Sequence, residues 1–486
     1  MRVYIFCLVL LGINGAVFGQ TNTGEVRFFG KNPEYAGFNL VFERYSNFII
    51  PQTEPLVTLA IDDDGEFYFT FPLNETLHAF VDLGRYRASI YLEPGLSYQL
   101  VFPPFEPKNQ AERLNPFFQP EEVLLGIANE EARALNRNIV EFDAMFEFNF
   151  SRYATDLFVN GNVARATEIE EMLEERFTFD HPVFNRHKQL NYMKLWHMTV
   201  RRQNRSLIHR YMSNHAVEYH LPVYWEVFND VFKGFFPNNL AEEVQQPILR
   251  SISRRESFNT ITDIAVQDTI FKNREFAEVM LLYSLYEAFY QENLAPETVL
   301  TITSDAVQTA SAPETREMAR QFNRKLSMLR AGTRAPEFTL LDRDGNYKSL
   351  EDFSGTFVYL NFMHTANFSA LRDMQSLVRI QEVFHEQLHV VTIIVDEDFE
   401  AMTRFLDRHP SYDWTFLHFA SAPAVLFDYN IMAVPAYYLI NPEGLLSLSP
   451  APTPDENFRA RFADRYRSWQ REQLRRNPPE RRSIFR

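Results

Sequence analysis

The sequence predicts a multidomain α+β protein, with an N-terminal antiparallel β-sandwich, a helical middle domain and a C-terminal α/β domain. Three observations carry that prediction. Short apolar runs alternate with turn residues from Gly24 to about Phe102, helical periodicity holds from there to about Arg330, and strand–helix alternation follows from Ala331. The 486 residues exceed what one hydrophobic core organises, and 46 Phe and 22 Tyr supply bulk for several cores. The expected segments are a signal peptide at 1–19, domains at 20–105, 106–330 and 331–475, and a basic tail at 476–486.

At the start, Arg2 precedes an apolar run from Val3 to Leu11 that gives way to small and polar residues, the layout of a secretory signal. The run is too short to span a bilayer. Cleavage after Gly19 would leave Gln20 first. Cys7 lies inside the apolar run, where it cannot serve as a lipid-anchoring residue, and it departs with the signal. The expected mature chain therefore has no thiol, although export to a periplasm or bacterial envelope permits disulfides.

In the first domain the strand-like runs are Phe38 to Arg44, Leu56 to Ile61, Glu66 to Phe71, Thr76 to Leu83, Ala88 to Leu92 and Tyr98 to Phe102. Asp62-Asp63-Asp64-Gly65 reads as a turn, because Gly accepts positive φ and Asp bonds its local backbone. A calcium loop needs spaced oxygen ligands that this tract lacks.

The middle segment carries apolar stripes at helical spacing: Ile169, Met172 and Leu173; then Phe276, Val279, Met280, Tyr283, Tyr286 and Tyr290; and Met318, Phe322, Leu326 and Leu329 on the last helix. These are core stripes. Its histidines, His181, His187, His197, His209, His215 and His220, never stand four apart, so no helix face offers two metal ligands.

From Ala335-Pro336-Glu337-Phe338-Thr339-Leu340 the chain passes a turn at Asp342 to Gly345, the run Leu350 to Phe353 and a buried-looking strand from Phe357 to Phe362. Further on come His389 to Val395, ending in Asp396, and Tyr429 to Ile440 with Val434-Pro435 inside it. This order resembles the thioredoxin-like disulfide reductases of the TlpA and ResA type over about Gly332 to Trp469. The resemblance implies a thioredoxin fold with Pro435 as its cis-proline. It also implies a WCxxC motif at the N-terminus of the first helix, where the dipole lowers a thiol pKa. Here Asn367 and Ala370 fall on the two cysteine positions, with Phe368 and Ser369 between them. Neither residue forms a mixed disulfide. Asp373 falls where some relatives carry an acid that assists proton transfer. The family's peptide-binding edge implies a candidate peptide site at His364, Asn367, Phe368, Ser369, Val434 and Pro435, although helix capping is the plainer task for Asn367.

His385-Glu386-Gln387-Leu388-His389 matches the zinc-protease pattern HExxH. The resemblance places Phe384 to Gln387 at a helix end and His389 at a strand start, so the two histidines should not share a helical face. The net charge of −16 disfavours nucleic acid as a partner. Ten arginines from Arg459 to Arg486 allow peripheral membrane contact or an acidic partner, or simply a solvated terminal helix. The expected function is a noncatalytic binding or assembly module of the envelope, with a protein or peptide partner and no cofactor. The alternatives are a cysteine-independent enzyme, such as a zinc hydrolase, and a structural subunit of a membrane-associated complex.

Overall fold

The structure, a computed structural model, describes residues 24–200, 204–235, 239–291 and 294–476. The expected signal peptide with Cys7 and the tail beyond Arg476 lie outside these residues. The chain divides into two compact units. The first comprises residues up to 105, 121–235 and 269–276; the second comprises 106–120, 236–268 and the chain from 277 onward.

The first unit begins with β1 (Gly24–Lys31), β2 (Asn39–Asn47), β3 (Gln52–Ala60), β4 (Glu66–Leu73), β5 (Leu77–Leu83), β6 (Tyr86–Leu92) and β7 (Ser97–Val101). Two short strands from further along, β8 (Glu121–Leu124) and β9 (Gly126–Ile127), complete two sheets ordered β4-β1-β7-β9 and β3-β2-β5-β6-β8. Val26 and Phe28 on β1, Phe42 on β2, Val81 on β5 and Tyr98 on β7 belong to one buried cluster, and the Phe28 and Phe42 rings lie 4.9 Å apart. The sheets thus share a core. They are not wholly antiparallel as expected: β1 pairs β7 and β6 pairs β8 in parallel. The cause is topological, since both partners arrive from distant chain segments instead of through hairpins. The expected turn forms, with Asp62 Oδ1 accepting from the Asp64 and Glu66 amides at 3.0 and 2.7 Å. Gly65 has φ +79°, and a Cβ there would meet the Pro33 backbone at 2.7 Å.

The helices of this unit are α2 (Glu130–Arg152), α3 (Val163–Arg176), α4 (Pro182–Thr199), α5 (Asn204–Tyr211) and α6 (Pro222–Phe232), preceded in the chain by α1 (Gln110–Leu114). Pro182 and Pro222 open their helices where the missing N–H costs nothing. Asn136 fastens α2 to β6 by accepting from the Tyr91 amide at 2.7 Å and donating to its carbonyl at 2.8 Å.

The second unit contains α7 (Glu242–Ser253), α8 (Phe258–Ala265), most of α9 (Arg274–Tyr290), α10 (Pro296–Thr309) and α11 (Pro313–Ser327). Helix α9 is buried on every side from Phe276 to Leu285, where a single stripe was expected. Leu329, expected on α11, lies past its end with φ +54°. Then come β10 (Thr339–Asp342), β11 (Tyr347–Ser349), β12 (Phe357–Met363), α12 (Phe368–Phe384), β13 (Leu388–Ile394), α13 (Phe399–Arg408), β14 (Thr415–His418), α14 (Ala424–Asp428), β15 (Ala436–Ile440), β16 (Leu446–Leu448) and α15 (Phe458–Arg476).

Their sheet runs β11-β10-β14-β13-β12-β15-β16, with β12, β13 and β14 parallel and β15 antiparallel to β12. All seven residues of β12 are buried, as a central strand covered on both faces requires. Phe357, Tyr359 and Met363 enter one core with α12, α13 and α15; Val358, Leu360 and Phe362 enter the other. Asn361 is the polar exception, and Thr392 Oγ1 donates to it across the strands at 2.5 Å. The terminal helix is not simply solvated: Phe458 and Phe462 are buried, and Tyr466 and Trp469 pack on the same core. Segment 106–120 joins this unit through Leu114, which packs on the second core, and Gln110, whose Nε2 donates to the Glu397 carbonyl at 3.2 Å.

Candidate functional site

Strand β12, an inner strand of its sheet, ends at Met363 at the carboxyl edge where open α/β sheets bind ligands. The loop from His364 to Asn367 leads directly into α12, and two anchors hold it. Asp396, just past β13 and nearly buried, accepts from the Thr365 amide at 2.9 Å and its hydroxyl at 2.6 Å. Asn367 is the N-cap: its Oδ1 accepts from the Ala370 amide at 3.0 Å, while its Nδ2 donates to the Val434 carbonyl at 3.0 Å. One side chain therefore satisfies an orphan amide of the helix and ties that helix to the strand opposite. The Val434–Pro435 bond is cis, and β15 starts at the next residue.

His364 Nδ1 accepts from the Ala366 amide at 3.1 Å, so its lone pair is spent within the loop. The same nitrogen lies 3.6 Å from Asp396 Oδ1, beyond hydrogen-bond range. Phe368 is 83% exposed and Met432 70%, which places apolar surface beside the two residues that Asn367 joins. Ser369 is exposed, and Ala370 faces the core.

Beneath this rim, Asp373 on α12 is almost fully buried and accepts from the Tyr437 hydroxyl at 2.8 Å, while its other oxygen accepts no hydrogen bond and has the Arg372 guanidinium 3.8 Å away. Burial pushes the Asp373 carboxyl above the usual carboxylate range, against the opposing effects of the Tyr437 hydrogen bond and Arg372. Burial also raises the Tyr437 phenol strongly, reinforced by the adjacent carboxylate.

The structure thus gathers the residues expected at the site: His364, Asn367, Phe368 and Ser369 at the mouth of α12, with Asn367 bonded to Val434 beside Pro435. It separates the HExxH residues from them. His385 caps the far end of α12, Glu386 lies in the turn and His389 stands on β13, so the two imidazoles share no helical face. Among the described residues no group of three or more His, Cys, Asp or Glu could hold a metal ion. Sequence reasoning missed the bracing role of Asp396 and the Asp373–Tyr437 bond, whose partners lie 64 positions apart. The arrangement holds a helix terminus rigidly but presents no sulfur nucleophile, since the one cysteine of the sequence is Cys7.

A mixed sheet with three parallel inner strands, a helix entering from the end of β12 and a cis-proline facing that helix define a thioredoxin-fold domain. Residues 331–449 match the AhpC/TSA family. Over 128 residues the chain is 27% identical to the thioredoxin-like protein YneN of Bacillus subtilis (strain 168), spanning 26% of this chain and 74% of that protein. Among solved structures, the thioredoxin domain of a thiol-disulfide oxidoreductase from Bacteroides vulgatus is 22% identical, covering 28% of this chain and 97% of its own, with a TM-score of 0.26. A thiol:disulfide interchange protein from a Bacteroides species is 24% identical, covering 27% and 87%, with a TM-score of 0.25. The C-terminal domain is thus similar to the TlpA-like thioredoxin-fold family and carries no CxxC pair.

Proposed function

We propose that this is an exported envelope protein whose thioredoxin-like domain performs no thiol–disulfide exchange and instead presents a binding surface around the mouth of α12. Asn367 and Ala370 then occupy the family's two cysteine positions. The observation that carries the proposal is the pair of Asn367 hydrogen bonds, to the Ala370 amide and the Val434 carbonyl. A nucleophile must be free to attack, whereas this side chain is committed to holding the helix against the strand. Phe368 and Met432 supply exposed apolar area beside it, suited to a protein or peptide partner. The two N-terminal sheets around one core support a β-sandwich that serves the same assembly role.

The test is insulin reduction by the full chain, wild type beside an Asn367→Cys, Ala370→Cys double variant, with zinc quantified on the same samples. The expected result is an inert wild type without zinc and a variant that gains measurable reductase activity. Reduction by the wild type would overturn the proposal, and stoichiometric zinc would restore the hydrolase alternative.

A further inference from the structure

Apart from the thioredoxin-like site, the first unit contains a cavity of about 310 Å³ that no expected function uses. Its wall combines β5, β6 and β8 with one face each of α2, α4 and α6. Helical spacing explains the convergence: Asp143 and Glu147 stand one turn apart on α2, and His187, Asn191 and Lys194 follow one another down α4. Ile90, Ile139, Val140 and Val223 make the remainder apolar.

The polar groups are sorted by depth. The side chains of Asp143, Glu147 and Glu226 are 43, 54 and 55% exposed and form the rim, whereas that of His187 is only 5% exposed. His187 Nε2 lies 2.5 Å from Asp143 Oδ1. A carboxylate only accepts, so this nitrogen carries the proton. The buried Nδ1 of the same ring has no hydrogen-bond partner, and neither has Nδ1 of His78, a second imidazole in the wall. At the rim, Lys194 is shared between Glu226 at 2.6 Å and Glu147 at 3.3 Å. Three carboxylates face one ammonium, so the lining has a formal charge of −2 with neutral imidazoles. The charge surplus at the rim, beside the apolar wall, calls for a ligand that pairs positive charge with a hydrocarbon body.

We propose that this cavity binds a small organic amine, with its ammonium against Asp143 and Glu147 and its hydrocarbon body against Ile139, Val140 and Val223. A carboxylate ligand would meet the same rim as repulsion, and an alcohol would leave its charge uncompensated. Such a site is independent of the α12 mouth and stands or falls without it.

Calorimetric titration of the full chain with n-butylamine at neutral pH tests the proposal, with n-butyrate and n-butanol as matched probes. Saturable one-site binding of butylamine is expected, with neither control competing at equal concentration. Replacing a charged partner by a neutral one costs roughly tenfold or more in affinity, so Asp143→Asn should weaken butylamine by at least about that factor. Val140→Trp, at a partly exposed wall position, should abolish binding by filling the space, and Glu226→Gln gives an independent second loss of rim charge. Butylamine binding no better than butanol, preferential uptake of butyrate, undiminished binding to Val140→Trp, or no binding at all would each overturn the assignment.

Discussion

Replacing Asn367 by alanine removes two hydrogen bonds held by one side chain, and serine at the same position separates them. Alanine loses the N-cap acceptor, which is worth about 1 kcal/mol, and the bond to the Val434 carbonyl, worth another ~1 kcal/mol. Serine keeps a capping oxygen but is too short to reach Val434, so it loses about 1 kcal/mol only. The free energy of local opening at the start of α12 should fall by these amounts. At 1.4 kcal/mol per factor of ten, amide exchange in peptides covering the first turns of α12 should accelerate roughly 30-fold in Asn367→Ala and about fivefold in Asn367→Ser. Hydrogen exchange read by mass spectrometry on the full chain resolves the difference, with peptides from β1 as an internal control. Equal rates in the two variants would show that the bridge to Val434 contributes nothing. Rates matching wild type in both would refute the entire account of the site as a braced helix terminus.

Asp373→Asn should raise the denaturant midpoint at pH 7, because asparagine still accepts from Tyr437 but buries no charge. The sign follows from the raised folded-state pKa: the unfolded chain releases its proton first, so wild type loses stability as pH climbs through and above the ordinary carboxylate range. Urea unfolding at pH 4 and pH 7 checks both statements, and a variant that gains nothing at pH 7 would contradict them. Burial holds the His78 imidazole down at about 4, below its ordinary 6.5. The unfolded chain therefore binds the proton first as pH falls, and up to about 3 kcal/mol is lost between those values. His78→Gln should flatten that acid limb in urea titrations, and an unchanged slope would argue that other groups govern it.

Legibility in the sequence followed how local each cause was. The seven-residue run of β12 announces a strand buried on both faces, and the residues of the α12 mouth follow directly after it. Strand β1 escaped, although Val26 and Phe28 alternate with Glu25 and Arg27, because its pattern adjoins the expected signal peptide and is bounded by Gly24 and Gly30. Strands β8 and β9 are too short to show any period. On α15 the aromatic ladder Phe458, Phe462, Tyr466 and Trp469 is readable at helical spacing, but the arginines between those positions suggested a solvated helix. The amine cavity left no trace at all: its lining comes from six elements, and no window of sequence contains more than one helix's share. His187, singled out only as an unpaired histidine, acquires meaning from Asp143, 44 positions away.

The strap at 106–120 bears on how the chain is made. Synthesis delivers Gln110 long before its acceptor, the Glu397 carbonyl, 287 positions later. At 5 to 20 residues per second that interval lasts about 15 to 60 s, while α1 and Leu114 wait without their seat. The first unit has a similar debt, since residues 269–276 arrive after part of the second unit has already emerged. Neither unit can therefore finish in simple N-to-C order, and a nascent chain of this protein should depend on holding factors that shield Leu114 until β12 and its neighbours are complete.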